Sequence, residues 1–329
     1  MAGTGKAHLS TSATDQVLRV EDLVVTYETP GGDTVQAVSG ISIDINEGET
    51  LAVVGESGCG KSTLAKAVMR LIPNDAGSIK VMGLEIAKLA GEDLRNVRPA
   101  MQMIFQDSIS SLDPHMKVKK LVEQPLKVWD RGTEEERLAK VNDLLSSVGL
   151  DPEVVGERKP TEFSGGQCQR ISIARALTLE PKLLICDEPV SSLDVSIQSQ
   201  ILNILRDMKD RYGLSLLFIS HDLSVVHAIS DRVVVMYLGK ICEVSPAAEL
   251  ASKPLHHYTH ALVSAIPIPD PSKQTGRAIL EGEPPSPANP PSGCRFRTRC
   301  PAATEQCANE EPQLREVSLG HFVACHHPR

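Results

Sequence analysis

Residues 55–63 read Gly55-Glu56-Ser57-Gly58-Cys59-Gly60-Lys61-Ser62-Thr63, and the fold follows from how this stretch is read. It fits G-x-x-x-x-G-K-[ST], a loop that binds nucleotide phosphates. The apolar run 51–54 before it reads as a strand, and 61–72 after it reads as a helix whose N-terminus meets the loop. The N–H groups of that helix start, with the positive end of its dipole, favour a polyanion. Bare glycines at 55, 58 and 60 let the backbone approach the phosphates. In this pattern Lys61 reaches the β/γ-phosphates and Ser62 is a ligand for Mg²⁺.

Outward from the loop, two regimes of patterning appear. Residues 20–27 and 38–45 alternate apolar and polar, as half-buried antiparallel strands do, with the turn signal Pro30-Gly31-Gly32-Asp33 between them. From residue 51 onward the pattern changes to continuous apolar runs at 51–54, 183–185, 214–219 and 233–236. These predict parallel strands buried on both faces. The charged stretch around 133–148 predicts a helical insertion in the α/β core. Residues 267–293 hold eight prolines and predict a tether to a small terminal unit, 294–329. Residues 1–16 read as a polar, disordered leader. The expected fold class is therefore α/β, with an antiparallel β subdomain, a helical subdomain and a Cys-rich C-terminal extension.

Composition narrows the function. At 329 residues the chain exceeds one comfortable core, and its 41% hydrophobic residues can fill two or three. Its longest apolar runs are far too short to span a bilayer, and the first residues carry no hydrophobic signal region. The expectation is a cytoplasmic chain whose membrane role, if any, comes through partners. A net charge of −8 and 3% aromatic residues argue against nucleic acid as a partner.

Two further motifs carry chemistry. Leu183-Leu184-Ile185-Cys186-Asp187-Glu188-Pro189 is an apolar strand ending in two carboxylates at the edge where parallel sheets bind ligands. Asp187 is expected to hold Mg²⁺ through water, and Glu188 to polarise the attacking water as general base. Phe163-Ser164-Gly165-Gly166-Gln167 precedes a predicted helix at 169–177, and its serine stands 23 residues before Asp187. A serine and two bare glycines at a helix start make a second anion site. One nucleotide does not need two such loops, so the second is expected to serve a nucleotide held by another subunit.

With these residues in view, the chain resembles the ATP-binding subunits of ABC transporters. The resemblance spans about residues 18–252. It implies an ATPase domain at 17–253 with a helical subdomain at about 107–178. Residues 163–167 are similar to the family's signature motif, with Phe163 where Leu is usual and Cys168 where a polar residue is usual. Asp187 and Glu188 match the Walker B aspartate and the catalytic glutamate. Gln106 matches the Q-loop glutamine that contacts Mg²⁺ and senses the permease. Ser191-Ser192-Leu193-Asp194 matches the D-loop, His221 the switch histidine on the γ-phosphate, and Tyr27 the aromatic that stacks on adenine. The resemblance implies ATP bound by Tyr27, Gly55 and residues 57–63, with Gln106, Asp187, Asp194, Ser164, Gly165, Gly166 and Gln167. Mg²⁺ would be held by Ser62, Gln106 and Asp187. It further implies ATP hydrolysis by Lys61, Glu188 and His221, coupled to import at the cytoplasmic face of the membrane. The implied partners are a second ATPase subunit (a paralogue or a copy), two transmembrane permeases and an extracytoplasmic peptide-binding protein. Residues 107–128, with Leu112, Met116 and Val118 as an apolar docking groove, are expected to carry the permease contact.

The C-terminal part, 254–329, is similar to the extension of dipeptide/oligopeptide importer ATPases, with His256-His257-Tyr258 where His-Pro-Tyr is usual. Some relatives move nickel chelates or other small solutes, and others are ATPase clamps without permeases. The span 72–162 lacks the sustained heptads a DNA-maintenance clamp of this type would need. Four cysteines, Cys294, Cys300, Cys307 and Cys325, follow the spacing C-x5-C-x6-C-x17-C, without the C-x2-C pair of zinc ribbons. Some relatives carry a [4Fe–4S] cluster. A cluster, a zinc ion and free thiols all remain open on the spacing. Arg295, Arg297 and Arg299 read as counter-charges to a cluster. Phe296, Leu314, Leu319, Phe322 and Val323 are too few for a core within 36 residues, so a metal staple is expected. The tail shares no motif with the ATP loop, so its role is read as structural and independent of ATP hydrolysis. His321, His326 and His327 read as substitute ligands or surface residues. Cys59, Cys168, Cys186 and Cys242 read as small packing residues.

Overall fold

The structure, a computed structural model, describes residues 6–10, 15–28, 31–266 and 282–329. The readings made for residues 1–5, 11–14, Pro30 and the tether at 267–281 lie outside the described residues. The chain forms two compact units, one of Met1–Leu89 and Phe218–Arg329, the other of Ala90–Leu217. Its strands are β1 (Gln16–Glu28), β2 (Thr34–Asn46), β3 (Thr50–Val54), β4 (Ala76–Val81), β5 (Leu84–Glu85), β6 (Met101–Ile104), β7 (Leu183–Asp187), β8 (Ser215–Ser220), β9 (Arg232–Tyr237), β10 (Lys240–Pro246), β11 (Arg315–Ser318) and β12 (His321–Val323). The chain passes from the second unit back to the first within β8.

In the first unit, β1 and β2 form the antiparallel ladder expected from their alternation, pairing Leu18 with Ile45 and Glu28 with Thr34. Both strands run longer than the alternation predicts. β4 and β5 complete that sheet in the order β2-β1-β4-β5. The expected two-sided burial also holds: every residue of β3 is buried, and β3 lies parallel to β9 with Val53 opposite Val234. β9 folds back into β10 through Leu238 and Gly239, which both have positive φ (44° and 76°), the combination that makes a tight two-residue hairpin turn.

The helix after β3 is shorter than its periodicity suggests, ending at Val68 rather than at 72. Arg70 takes a left-handed φ of 52°, and the Arg70 and Leu71 N–H groups donate back to Ala67 and Lys66 at 2.9 Å each. This is a Schellman stop with arginine in the usual glycine place.

The leader and the tail both depart from expectation. Lys6 pairs with Asp22 at 2.6 Å, His8 and Leu9 are buried, and Ser10 N–H donates to the Asp44 carboxylate at 2.6 Å. Residues 6–10 are thus packed against the β1–β2 sheet. The tail does not need a core of its own. β12 pairs antiparallel with β10, setting Val323 opposite Glu243, and β11 pairs with β12. Phe296 is buried against Tyr237, Tyr258 and His256, with ring centroids 5.3, 5.4 and 5.6 Å away. Leu314, Phe322 and Val323 are buried as well, and of the five apolar residues only Leu319, at 93%, faces solvent. A tail standing alone would need a metal staple, whereas docking on β10 and the aromatic cluster supplies the burial it lacks by itself. His321 is not a surface residue: it is buried with its Nε2 at 2.6 Å from Glu243 Oε1, while Glu243 Oε2 accepts the His256 N–H at 2.8 Å.

In the second unit, β6 and β7 lie parallel, pairing Met101 with Leu183. The expected helix around 133–148 spans Glu134–Ser147. Thr133 and Glu136 form a reciprocal capping box at its start, and Gly149 (φ 74°) ends it. It packs with the helices Val118–Val128 and Gly165–Leu177 through Leu121, Val141, Leu144, Leu145 and Ile171, all buried. The packing residues assigned by sequence are buried: Cys59, Cys168, Cys186 and Cys242 are all free thiols out of solvent.

The helix His257–Ser264 gives a pH prediction. His256 caps it, its Nδ1 accepting the Tyr258 N–H at 3.1 Å, and burial lowers its pKa to about 4. An unfolded histidine titrates near ~6.5. Between these values the unfolded chain binds the extra proton. The contribution is therefore whole above about pH 6.5 and is lost as the pH falls toward 4. His256→Asn keeps a capping oxygen and should remove roughly 2 kcal/mol of the stability lost between pH 7.5 and pH 5. Urea unfolding of the full chain at both pH values checks this, and parallel profiles for variant and wild type would refute it.

Candidate nucleotide-binding site

The phosphate loop lies in the first unit, between β3 and the helix Lys61–Val68. Gly60 precedes that helix with φ 105°, and no side chain caps it, an arrangement suited to an anion at the N-terminus. A Cβ on Gly60 would collide with the Ala37 carbonyl oxygen, and one on Gly55 with that of Met236. Only glycine fits either place. The loop is also tied from behind: Gly239 N–H donates to the Cys59 carbonyl at 2.9 Å. Lys61 is buried, and its Nζ lies 2.8 Å from Gly55 O and 3.0 Å from Glu56 O. Tyr27, near the end of β1, exposes its ring and sets its hydroxyl 3.5 Å from Thr63 Oγ1. His221 is exposed immediately after β8, and Asp222 beside it caps the helix Leu223–Ile229 by accepting the Ser224 N–H at 2.8 Å.

The second unit brings together residues far apart in sequence. Asp187 ends β7 and is buried. Glu188 follows with a left-handed φ of 48°, a conformation that costs energy in a residue with a Cβ and that here places a carboxylate directly after Asp187. Its Oε2 accepts a hydrogen bond from Gln106 Nε2 at 3.2 Å. Ser191 steadies the turn, its Oγ donating to the Glu188 carbonyl at 3.1 Å.

The signature residues are not a loop ahead of a helix but its first turn, since the helix runs Gly165–Leu177 with Ser164 as cap. Ser164 N–H donates to Gln167 Oε1 at 3.1 Å, and Gln167 N–H donates to Ser164 Oγ at 3.4 Å. A Cβ on Gly165 would lie 3.4 Å from Leu193 Cδ2, at ordinary contact distance. A Cβ on Gly166 would lie 2.6 Å from Ile197 Cγ2, in the helix Val195–Tyr212 that Asp194 precedes. The signature glycines thus leave room for Leu193 of the D-loop and Ile197 of the helix after it. Of the three apolar residues of the expected docking groove at 107–128, Leu112 and Val118 are buried and so not open to a partner, while Met116 is half-buried; Ser111 O accepts from the Arg175 guanidinium at 2.9 Å. The apolar side chains exposed near Gln106 are Phe105 and Ile109.

Sequence reasoning missed two residues at the loop. Glu56 N–H donates to the Tyr258 hydroxyl at 2.8 Å, and the Arg299 guanidinium grips both Glu56 carboxylate oxygens, at 2.8 and 3.2 Å. The Arg-x-Arg-x-Arg pattern was the available signal, read as counter-charge to a cluster. The three arginines instead serve the protein. Arg295 donates to Leu238 O and Ser39 Oγ, Arg297 to Ser292 O, and Arg299 to Glu56. Cys294, Cys300, Cys307 and Cys325 share a neighbourhood. Cys294 N–H donates to Cys307 O at 2.8 Å, and the Cys325 thiol is pushed up to about 11 by burial and then by the other three thiols. Among the described residues, however, no three His, Cys, Asp or Glu side chains are gathered as a metal site requires. Nor is any described helix long and apolar enough to cross a membrane.

Comparison with known proteins places this geometry. Residues 38–191 match the ABC transporter family, and residues 242–307 match the C-terminal region of oligopeptide/dipeptide transporters. The chain is 49% identical over 320 residues to the oligopeptide transport ATP-binding protein OppF of Escherichia coli K12, covering 94% of this chain and 95% of that one. A dimeric structure of a post-hydrolysis state of the ATP-binding cassette MJ0796, bound to ADP and Pi, superposes with a TM-score of 0.64 at 27% identity, covering 70% of this chain and 98% of the cassette. CbiO1 from Clostridium perfringens, part of the ABC transporter complex CbiONQ, superposes with a TM-score of 0.65 at 29% identity, over 72% of this chain and 91% of its own. With its phosphate loop held to glycine at 55 and 60, its strained Glu188 and its capped signature helix, the chain belongs to the family of ABC transporter ATPases, on the branch that carries the oligopeptide/dipeptide C-terminal region.

Proposed function

We propose that this chain is the ATP-hydrolysing subunit of an importer for dipeptides or oligopeptides, working with a second ATPase subunit beneath two membrane permeases that receive cargo from an extracytoplasmic binding protein. The observation that carries the catalytic part is the hydrogen bond from Gln106 to a conformationally strained Glu188. The cargo rests on the named relative, an oligopeptide transport protein alike over nearly the whole chain. The domain reading is an ATPase domain at 17–253 with a helical subdomain at about 107–178, and an extension at 254–329.

In this reading, Gly55 and residues 57–63, Lys61 among them, hold the β- and γ-phosphates, the Tyr27 ring stacks on adenine, and His221 contacts the γ-phosphate. Ser62, Gln106 and Asp187 offer the oxygen donors that suit Mg²⁺. When bound, that ion neutralises charge on the transferred phosphoryl group. Glu188 takes the proton of the attacking water, and the Gln106 amide orients its carboxylate. Ser164–Gln167 and Asp194 face the nucleotide of the partner subunit. Such an inventory works by positioning and electrostatics, the main contributions in phosphoryl transfer. A [4Fe–4S] cluster on Cys294, Cys300, Cys307 and Cys325 is the finer reading of the tail. The shared neighbourhood of the thiols supports it, their spacing in the structure does not, and no step of the mechanism runs through it.

Two experiments test these readings. Glu188→Gln keeps size and loses basicity. It should leave ATP affinity within about twofold, cut turnover at least about a hundredfold, and trap an ATP-bound dimer visible by size exclusion. Wild-type turnover in that variant overturns the role of Glu188. Anaerobically purified protein should contain about four iron and four sulfide per chain and turn colourless with Cys300→Ser. Iron-free wild-type protein removes the cluster.

A further inference from the structure

We propose that Tyr258 and Arg299 are positioning residues for the nucleotide, setting the affinity of the phosphate loop by fixing Glu56 from behind. The proposal rests on the reading of residues 55–63 as the ATP loop. Glu56 is the first variable residue of the motif, and its three polar groups point three ways. Its carbonyl lies 3.0 Å from Lys61 Nζ, its N–H donates to Tyr258 Oη at 2.8 Å, and its carboxylate is gripped by both Nη atoms of Arg299. One residue thus joins the lysine of the loop to the C-terminal region.

The anchors are themselves held. The Arg299 side chain is only 5% exposed and its Glu56 partner 26%, so this pair is sheltered, unlike ordinary surface pairs. Arg299 Nη1 also lies 3.4 Å from the Tyr237 hydroxyl. Tyr258 is buried, with its ring 4.8 Å from Tyr237 and 5.4 Å from Phe296. Burial raises the Tyr258 pKa far above the usual tyrosine range, keeping its hydroxyl neutral and able to accept the Glu56 N–H. Glu56 and Tyr237 together outweigh burial and hold Arg299 charged.

Two physical effects follow. A carboxylate at this place in the loop carries the same sign as a triphosphate, and the bidentate guanidinium cancels it. The hydroxyl and the guanidinium also fix the shoulder of a loop whose glycines cannot hold their own shape. The tail, expected to be independent of the ATP site, is therefore coupled to it. Such coupling is reciprocal, so nucleotide on the loop must stabilise the tail.

The test uses the full-length chain, a non-hydrolysable ATP analogue with Mg²⁺, and calorimetric titration. Arg299→Gln should weaken binding about tenfold, and adding Glu56→Gln should recover most of the loss, because the uncompensated anion is gone. Tyr258→Phe should weaken binding several-fold with its melting temperature nearly unchanged. Arg297→Gln, whose guanidinium bonds Ser292, should bind as wild type. In wild type the analogue should slow hydrogen exchange at residues 294–301, and in Arg299→Gln this protection should vanish. If Arg299→Gln does not fold, Tyr258→Phe and the wild-type exchange decide. Affinities within twofold of wild type for both variants, equal weakening by Arg297→Gln, or no exchange protection in wild type overturns the inference. Wild-type protein that binds no analogue sinks the ATP reading itself, a separate failure.

Discussion

A loop that binds a polyanion through its backbone cannot anchor itself. Gly55 and Gly60 are bare because a Cβ on either would strike the Met236 or Ala37 carbonyl that stands behind the loop. Bare residues lose the most conformational freedom on folding. The loop must then be shaped by what stands behind it. Here that backing consists of the Ala37 and Met236 carbonyls, the Gly239 N–H, the Tyr258 hydroxyl and the Arg299 guanidinium. Much of the first unit can be understood as the means of placing these five groups. The β9–β10 hairpin brings Met236 and Gly239, β2 brings Ala37, and the C-terminal region brings the other two.

The same constraint accounts for the tail. Its apolar residues are too few to fold alone, and they do not have to. Pairing of β12 with β10 and insertion of Phe296 among Tyr237, Tyr258 and His256 bury them against residues outside the 294–329 tail. Buried aromatic clusters of this kind combine large apolar area with favourable ring geometry. The family match to the C-terminal region begins at residue 242, inside β10, the strand on which β12 docks.

The second unit solves a different problem, that of holding polar side chains in costly conformations. Glu188 occupies a left-handed backbone position, Gln106 reaches it from 82 residues away, and Ser191 closes the turn. Strain of this kind persists only where surrounding structure over-determines it. The helices Val118–Val128, Glu134–Ser147 and Gly165–Leu177 supply a rigid packed body, which is why Leu112 and Val118 are interior rather than a docking surface.

The amino-acid sequence by itself determined the nucleotide chemistry and the family. Residues 55–63, 163–167 and 183–189 are short, contiguous motifs whose chemistry depends on local spacing, and local spacing is what a sequence displays. The strand patterns were equally legible, because burial on one face or two leaves a period-two or a continuous apolar signature, as in β1 and β3. Only the tertiary structure decided what Glu56, Tyr258 and Arg299 do. They stand at positions 56, 258 and 299, and nothing in an Arg-x-Arg-x-Arg run names the carboxylate it will meet. Pairing over such distances is set by sheet topology and by which apolar surfaces bury one another, so the fold alone reports that the tail reaches the phosphate loop.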